Sequence, residues 1–172
     1  MVKERDGDSS PDTMRIRVGF GYDVHRLSEG EEFWLGGIRI NHSKGSVAHS
    51  DGDVLIHAIC DALLGAANMR DIGYHFPDTS SEFKNIDSKI LLKKTTELIS
   101  AKGYSIGNID STIALQTPKI KPYIDEMQEV LAGVMNIDID DIAIKATTTE
   151  KLGFVGAEDG VAAYATVLIQ KD

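Results

Sequence analysis

The stretch HSDGDVLIHAICDALLG, His49 to Gly65, decides how this chain folds. From Asp53 onward its apolar residues are Val54, Leu55, Ile56, Ala58, Ile59, Cys60, Ala62, Leu63 and Leu64. They cover most of the circumference of a helix, which is therefore predicted to be buried on nearly all sides. The polar residues Asp53, His57 and Asp61 recur at i, i+4 and i+8 and stack in one stripe. A solvent-facing helix would spread Lys and Glu over a broad face. Two carboxylates flanking an imidazole on a buried helix persist only when paired, hydrogen-bonded or metal-bound. The stripe reads either as a site or as a core histidine satisfied by Asp53 or Asp61. Just ahead of it, His49 and Ser50 are placed for anion contact at a helix N-terminus, while Ser50 or Asp51 is equally suited to cap the helix.

Working outward, Arg15 to Val24 reads as a strand with Ile16, Val18, Phe20 and Tyr22 on one face. Gly19 and Gly21 fall on the other face, where they predict close approach of another backbone. The strand ends in Asp23-Val24-His25, and i, i+2 spacing points Asp23 and His25 the same way. Phe33 to Ile40, broken by Gly36-Gly37, is a strand pair, and His42 to Gly45 is polar loop. Beyond the central helix, Asp87 or Ser88 caps a second helix whose stripe is Ile90, Leu91, Thr95, Leu98 and Ile99. Ile109, Ser111, Ile113 and Leu115 alternate as a strand. Pro122 opens and Asn136 stops a third helix. A strand from Asp141 runs into Ala146-Thr147-Thr148-Thr149-Glu150-Lys151. The last strand, Gly160 to Ile169, is nearly apolar on both faces. An antiparallel strand with one wet face should alternate cleanly, so its outer face is predicted to be covered by another copy of the chain.

At 172 residues the chain suits one domain, large enough to bury about 68–70% of its unfolded surface. Residues 1–13 read as a disordered extension, and residues 14–172 as a single catalytic domain. A net charge of −9 argues against nucleic acid or an anionic membrane as partner. It also means that an anionic substrate needs local cations. The longest apolar run is too short for a transmembrane helix. The single cysteine, Cys60, forms no internal disulfide and reads as a core residue, which suits a cytoplasmic location.

Asp23, His25 and His57 together make one carboxylate and two imidazoles from two elements. Three protein ligands with an open position is the pattern of a catalytic zinc site, and Asp53 or Asp61 is available to hold the free N–H of His57. The same donors serve non-haem iron; zinc is favoured because the third ligand sits on a buried helix. The TTTE run offers hydroxyls and backbone N–H groups to phosphate, and Glu150 offers a carboxylate to Mg²⁺. Alone, that run would read as a capped turn.

Asp23-Val24-His25, then His49-Ser50-Asp51-Gly52-Asp53 with His57, then Asp71-Ile72-Gly73 and Phe76-Pro77-Asp78-Thr79, then Lys145 to Phe154 resemble the 2-C-methyl-D-erythritol 2,4-cyclodiphosphate synthases. The resemblance spans residues 14–170 in order. It implies an α/β (α+β), two-layer fold: a mixed four-stranded sheet covered by helices, assembling as a homotrimer with sheets facing the centre and active sites between subunits. It implies cyclisation of 4-diphosphocytidyl-2-C-methyl-D-erythritol 2-phosphate, with release of CMP, in non-mevalonate isoprenoid synthesis. The zinc ligands it implies are Asp23, His25 and His57, one ion per subunit, with Glu150 holding a Mg²⁺ or Mn²⁺ that bridges the substrate phosphates. His49 and Thr148 match residues that stabilise the transition state. Asp71, Gly73, Phe76, Pro77, Asp78, Thr79 and Ser80 match the erythritol-phosphate side. Leu115, Gln116, Thr117, Pro118, Lys119, Ile120 and Lys121, with Ala146 and Thr147, match the cytidine and diphosphate side, and Asp23, His25, His49, Ser50, Ile72, Thr148, Thr149, Glu150 and Phe154 complete the substrate-binding set that the resemblance implies. One departure is Ala157, where many relatives carry an arginine tied to binding an isoprenoid diphosphate on the trimer axis; that ligand is not expected here. The rival readings are a zinc-dependent phosphoesterase and a non-catalytic, zinc-stabilised trimeric binding module.

Overall fold

The computed structural model describes residues 15–77, 79, 83 and 85–171. The proposed extension at residues 1–13 and the site candidates Asp78 and Ser80 lie outside the described residues. Strand β1 (Ile16–Glu29) is followed by the hairpin β2 (Phe33–Leu35) and β3 (Ile38–Ile40), then by β4 (Lys44–Val47) and helix α1 (Val54–Ala66). A short helix α2 (Ile72–His75) and the long α3 (Ser88–Ala101) lead to β5 (Tyr104–Ala114). Helix α4 (Ile124–Met135), β6 (Ile142–Thr147), the short α5 (Gly153–Gly156) and β7 (Gly160–Lys171) complete the chain.

The sheet runs β4-β1-β7-β5-β6. Its pairs are antiparallel except for β5–β6, which is parallel because α4 makes the crossover between them. The expected four strands are β1, β7, β5 and β6. The short β4, formed from Lys44-Gly45 of the expected loop and the two residues after it, adds to the β1 edge. No helix among the described residues is long and apolar enough to cross a membrane.

Helix α1 fills the space beneath the sheet. Val54, Leu55, Ile56, Ile59, Leu63 and Leu64 have no exposed surface, and each is worth about 1.5–3 kcal/mol on burial. The helix can lie this close because Gly19 and Gly21 have no side chains: a Cβ on either would collide with the carbonyl of Ala62 or Ala58. Burial pushes the Cys60 thiol up to about 12, so it stays protonated inside the core.

Two local expectations change. The cap of α1 is Asp53, not Ser50 or Asp51. Its Oδ1 accepts from Ile56 N and from Gly36 N, both at 3.0 Å, and its Oδ2 from Gly37 N at 2.6 Å. One buried carboxylate thus caps the helix and anchors the turn of the β2–β3 hairpin. On α3, capped by Asp87, the buried residues include Leu91, Leu92, Thr95 and Ile99, while Ile90 is 46% exposed. Contact with both α1 and α4 rotates the buried stripe toward Leu92. Asn136 ends α4 in the left-handed conformation at φ 55°, as expected.

On the sheet face away from α1, Val18 (65% exposed), Phe20 (64%), Tyr22 and Val24 of β1 stand beside Tyr164 of β7. The Tyr22 and Tyr164 rings are 5.1 Å apart. Asp53→Ala would strand three backbone donors in the core. We expect it to lower unfolding stability by about 3–5 kcal/mol in urea titrations of the metal-free protein. A loss under about 1 kcal/mol would show that Asp53 does not carry the hairpin-to-helix link.

Candidate metal and phosphate site

The alternation of β1 that turns Gly19 and Gly21 to the helix also turns Asp23 and His25 toward it. His57 meets them from the second turn of α1. Asp23 Oδ2 is 3.1 Å from His25 Nε2 and 3.0 Å from His57 Nδ1, and the two ring nitrogens are 3.1 Å apart. Both rings can donate to that one oxygen, but their two N–H groups would then crowd at 3.1 Å, whereas a cation takes a lone pair from all three atoms. The edges come close to the roughly 3.3 Å between donors of a tetrahedral site with bonds of about 2.0–2.1 Å. These residues form a potential metal site, half-buried and open to one side.

Burial works against ionising Asp23, but hydrogen bonds and charge from His25 and His57 outweigh it and hold the carboxyl well below its usual range. Burial likewise disfavours a charged His57, yet the adjacent Asp23 carboxylate raises its pKa. The far nitrogen of His57, Nε2, lies 3.0 Å from Ser88 Oγ and 3.2 Å from Ser50 Oγ. Neither Asp53 nor Asp61 holds the ring, contrary to expectation. Asp53 is occupied as the cap, and Asp61 Oδ1 accepts from Ile72 N at 2.7 Å, tying α2 to α1. Ser88, read from sequence only as a cap candidate, is fully buried against His57. Its separation of 31 residues left no periodic signal to find it. Ser50, His57 and Asp23 have the hydrogen-bond order of a Ser-His-Asp triad. A triad has no use for a second imidazole on the same carboxylate oxygen, which favours the metal.

A cleft of about 340 Å³ opens beside the triad, lined by His25, Ala48, His49, Ser50, His57, Ile72, Gly73, Phe76 and Leu91. Asp71 is the cap of α2, accepting from Tyr74 N at 2.9 Å. Pro77 and Thr79 continue from Phe76 at the surface. Of the expected erythritol-phosphate residues, Gly73 and Phe76 line the cleft, while Asp71, Pro77 and Thr79 are chain neighbours outside its lining. Phe154 stands elsewhere, beside Gly160, in a hollow of about 690 Å³ with Tyr22, Val24, His25 and Arg26.

The remaining candidates form a second cluster. Leu115 N donates to Thr147 O at 3.0 Å, and Lys151 N to Gln116 Oε1 at 3.3 Å. These bonds bring the Leu115–Lys121 segment against the Ala146–Glu150 segment. Thr148 Oγ1 donates to Glu150 Oε1 at 3.1 Å. Glu150 and Lys151 take consecutive left-handed conformations, φ 52° and 66°, a backbone arrangement that costs about 1–3 kcal/mol per residue and concentrates at functional turns. Asp23 pairs with Ala163, Ala163 with Ile113, and Ile113 with Ala146. The triad and the threonine run thus occupy opposite ends of one register row, three strand spacings or about 14 Å apart.

The model of the YgbB family matches residues 16–170. The chain is 71% identical over 159 residues to a 2-C-methyl-D-erythritol 2,4-cyclodiphosphate synthase of Bacteroides thetaiotaomicron, covering 92% of this chain and 100% of that protein. It is 61% identical over 154 residues to one of Porphyromonas gingivalis, covering 90% and 95%. Among solved structures, the bifunctional IspDF from Campylobacter jejuni superposes with a TM-score of 0.90 at 41% identity; this chain is 93% covered and spans 43% of that longer one. The IspF–CDP complex from Plasmodium falciparum gives a TM-score of 0.80 at 36% identity, with 91% and 97% covered.

The pKa directions set a pH dependence. In the metal-free protein, Asp23 contributes stability above its unfolded value of 3.8 and loses it as pH falls through the lowered folded value. His57 contributes below its unfolded value of 6.5 and loses it as pH rises through the raised folded value. A metal requires the deprotonated ring, so proton and ion compete. The rise in melting temperature on adding Zn²⁺ to chelator-treated protein should be larger at about pH 8 than at about pH 5.5. Equal increments would show that His57 does not hold the ion.

Proposed function

The chain belongs to the YgbB family, and from that membership we propose how its two clusters share one reaction. The activity is that of the 2-C-methyl-D-erythritol 2,4-cyclodiphosphate synthases: 4-diphosphocytidyl-2-C-methyl-D-erythritol 2-phosphate is cyclised in isoprenoid synthesis and CMP is released. An oxygen of the 2-phosphate bonds to the β-phosphorus, and the bond from that phosphorus to the oxygen shared with the α-phosphate breaks. That oxygen leaves with CMP.

The nucleophile is already an anion, so the step needs no strong base. What it needs is a place where two phosphates can meet inside a chain of net charge −9. Asp23, His25 and His57 would hold Zn²⁺, one per subunit, and Glu150 would hold Mg²⁺ or Mn²⁺; such ions supply positive charge against the phosphate repulsion and polarise the P–O bonds. His49 and Ser50, at the mouth of the cleft, would grip the 2-phosphate, with Asp71, Ile72, Gly73 and Phe76 around the erythritol chain. Thr148, with Ala146, Thr147 and Thr149, would offer hydroxyl and N–H donors to the diphosphate. Leu115 to Lys121 would form the cytidine pocket; that a cytidine diphosphate is bound at all is supported by the CDP complex of the Plasmodium falciparum relative. Holding the two phosphates in register contributes roughly 7–11 kcal/mol to an intramolecular step of this kind.

The observation that carries the assembly is the register row. The two clusters must act on phosphates that bond to one another, yet within one chain they sit three strand spacings apart across the sheet. A neighbouring copy must therefore complete each site, and the exposed Val18, Phe20, Tyr22 and Tyr164 offer the apolar face on which sheets would pack. We take the assembly to be a homotrimer of single catalytic domains, residues 14–172, located in the cytoplasm, as suits a chain whose one cysteine is buried and free.

Phosphorus NMR of the products tests the reaction. CMP with the cyclic diphosphate supports it, whereas a linear bisphosphate would mean that water, not the 2-phosphate, attacks. Glu150→Gln should leave bound zinc unchanged and raise the Mg²⁺ concentration for half-maximal turnover by about tenfold or more. Phe20→Asp should yield monomers by analytical ultracentrifugation that keep zinc and lose cyclisation by at least about a hundredfold. Monomers with full activity would show that each chain holds a whole site.

A further inference from the structure

We infer that Ser88, oriented by Asp51, is a positioning residue that fixes which nitrogen of His57 faces the metal. The inference rests on Asp23, His25 and His57 being the metal ligands. His57 Nδ1 faces Asp23 Oδ2 at 3.0 Å and His25 Nε2 at 3.1 Å, so the metal requires the lone pair on Nδ1 and the ring proton on Nε2. Nε2 lies 3.0 Å from Ser88 Oγ. A serine hydroxyl either donates its one proton or accepts, and unaided it leaves the histidine tautomer open. Asp51 decides between these, because its Oδ1 lies 2.5 Å from Ser88 Oγ and a carboxylate only accepts. Ser88 must give its proton to Asp51, and the lone pairs it keeps face His57. The order Asp51, Ser88 Oγ–H, His57 Nε2–H, Nδ1 then runs in one direction.

Asp51 is itself fixed from both helix ends. Its Oδ2 accepts from Ser88 N at 2.8 Å and its Oδ1 from Asp53 N at 3.2 Å. Its own N–H donates to Ile86 O at 3.1 Å. The Ser88 hydroxyl is not needed to cap α3, since Asp87 already accepts from Lys89 N at 2.9 Å. Ser88 is fully buried, so no solvent competes for its bonds. Ser50 Oγ adds a longer contact to Nε2 at 3.2 Å while accepting from Gly52 N.

The test starts with the unsubstituted, zinc-loaded protein. Histidine-ring proton–nitrogen correlation spectra should place the His57 proton on Nε2, slow to exchange; a proton on Nδ1 would overturn the inference whether or not any variant folds. Ser88→Ala should then lower zinc affinity about 10–100-fold in competition with a chromophoric chelator and shift the visible spectrum of the cobalt-loaded protein. A merely structural hydroxyl would lower melting temperature equally with and without zinc and leave affinity within about twofold of the unsubstituted protein, and that result would also overturn it. His57→Ala is the control. If it binds zinc as well as the unsubstituted protein does, the ligand assignment fails and the inference with it; if only the Ser88 arm fails, the ligands stand and the positioning role does not.

Discussion

The site depends on how closely a helix can approach a strand. Donor atoms about 3 Å apart are contributed by β1 and α1, two elements whose axes would normally stand about 10 Å apart. Gly19 and Gly21 let the backbone of α1 settle against β1 at Ala58 and Ala62. The next residues on that same face are Asp23 and His25, one and two steps further along the alternation. His57 is adjacent to the contact residue Ala58, so the packing distance and the ligand triangle are one geometric fact. Any side chain at Gly21 would move the helix and open the triangle together. The buried apolar surface of α1 supplies the force that holds the approach, and Asp53 fixes its angle by bonding both the helix start and the hairpin turn.

Around that contact the polar groups are distributed by job. Asp53 and Asp61, which share a stripe with His57, point their carboxylates at backbone N–H groups and serve the scaffold. The ring is instead held by Ser88 and Ser50, which come from outside the helix. The division has an electrostatic logic. A carboxylate directly on Nε2 would add another negative charge beside Asp23, whereas a serine passes on the influence of Asp51 through a neutral group. Among the described residues, Asp23, His25 and His57 form the one close carboxylate–imidazole cluster that could hold a metal ion.

The sheet imposes the second constraint. Strands are spaced at a fixed distance, so a register row converts strand order into separation. With β7 and β5 between β1 and β6, the triad and the threonine run cannot meet within one chain. The alternation of β1 leaves Phe20 and Tyr22 uncovered on the face away from α1. Separation of the two clusters and exposure of an apolar sheet face both follow from one topology.

Much of this was legible in the chain itself. Two-residue alternation in β1 and 3.6-residue periodicity in α1 report faces, and faces are local properties. They placed Asp23 with His25, turned both glycines toward a neighbour, and buried His57. The motif series from Asp23 to Phe154 carried the family and the fold, including the mixed sheet. Periodicity misassigned the partners of His57, because Asp53 and Asp61 are near it along the helix while Ser88 is near it only through packing. It also put Ile90 on the buried stripe of α3, since one helix taken alone does not reveal that α1 and α4 cover it from two sides. The sequence separations of 17 from Gly36 to Asp53, and of 37 from Asp51 to Ser88, are closed by chain packing rather than by any repeat. The sequence alone determined which residues share a face; only the tertiary structure decided which faces meet, because that depends on how closely backbones can approach.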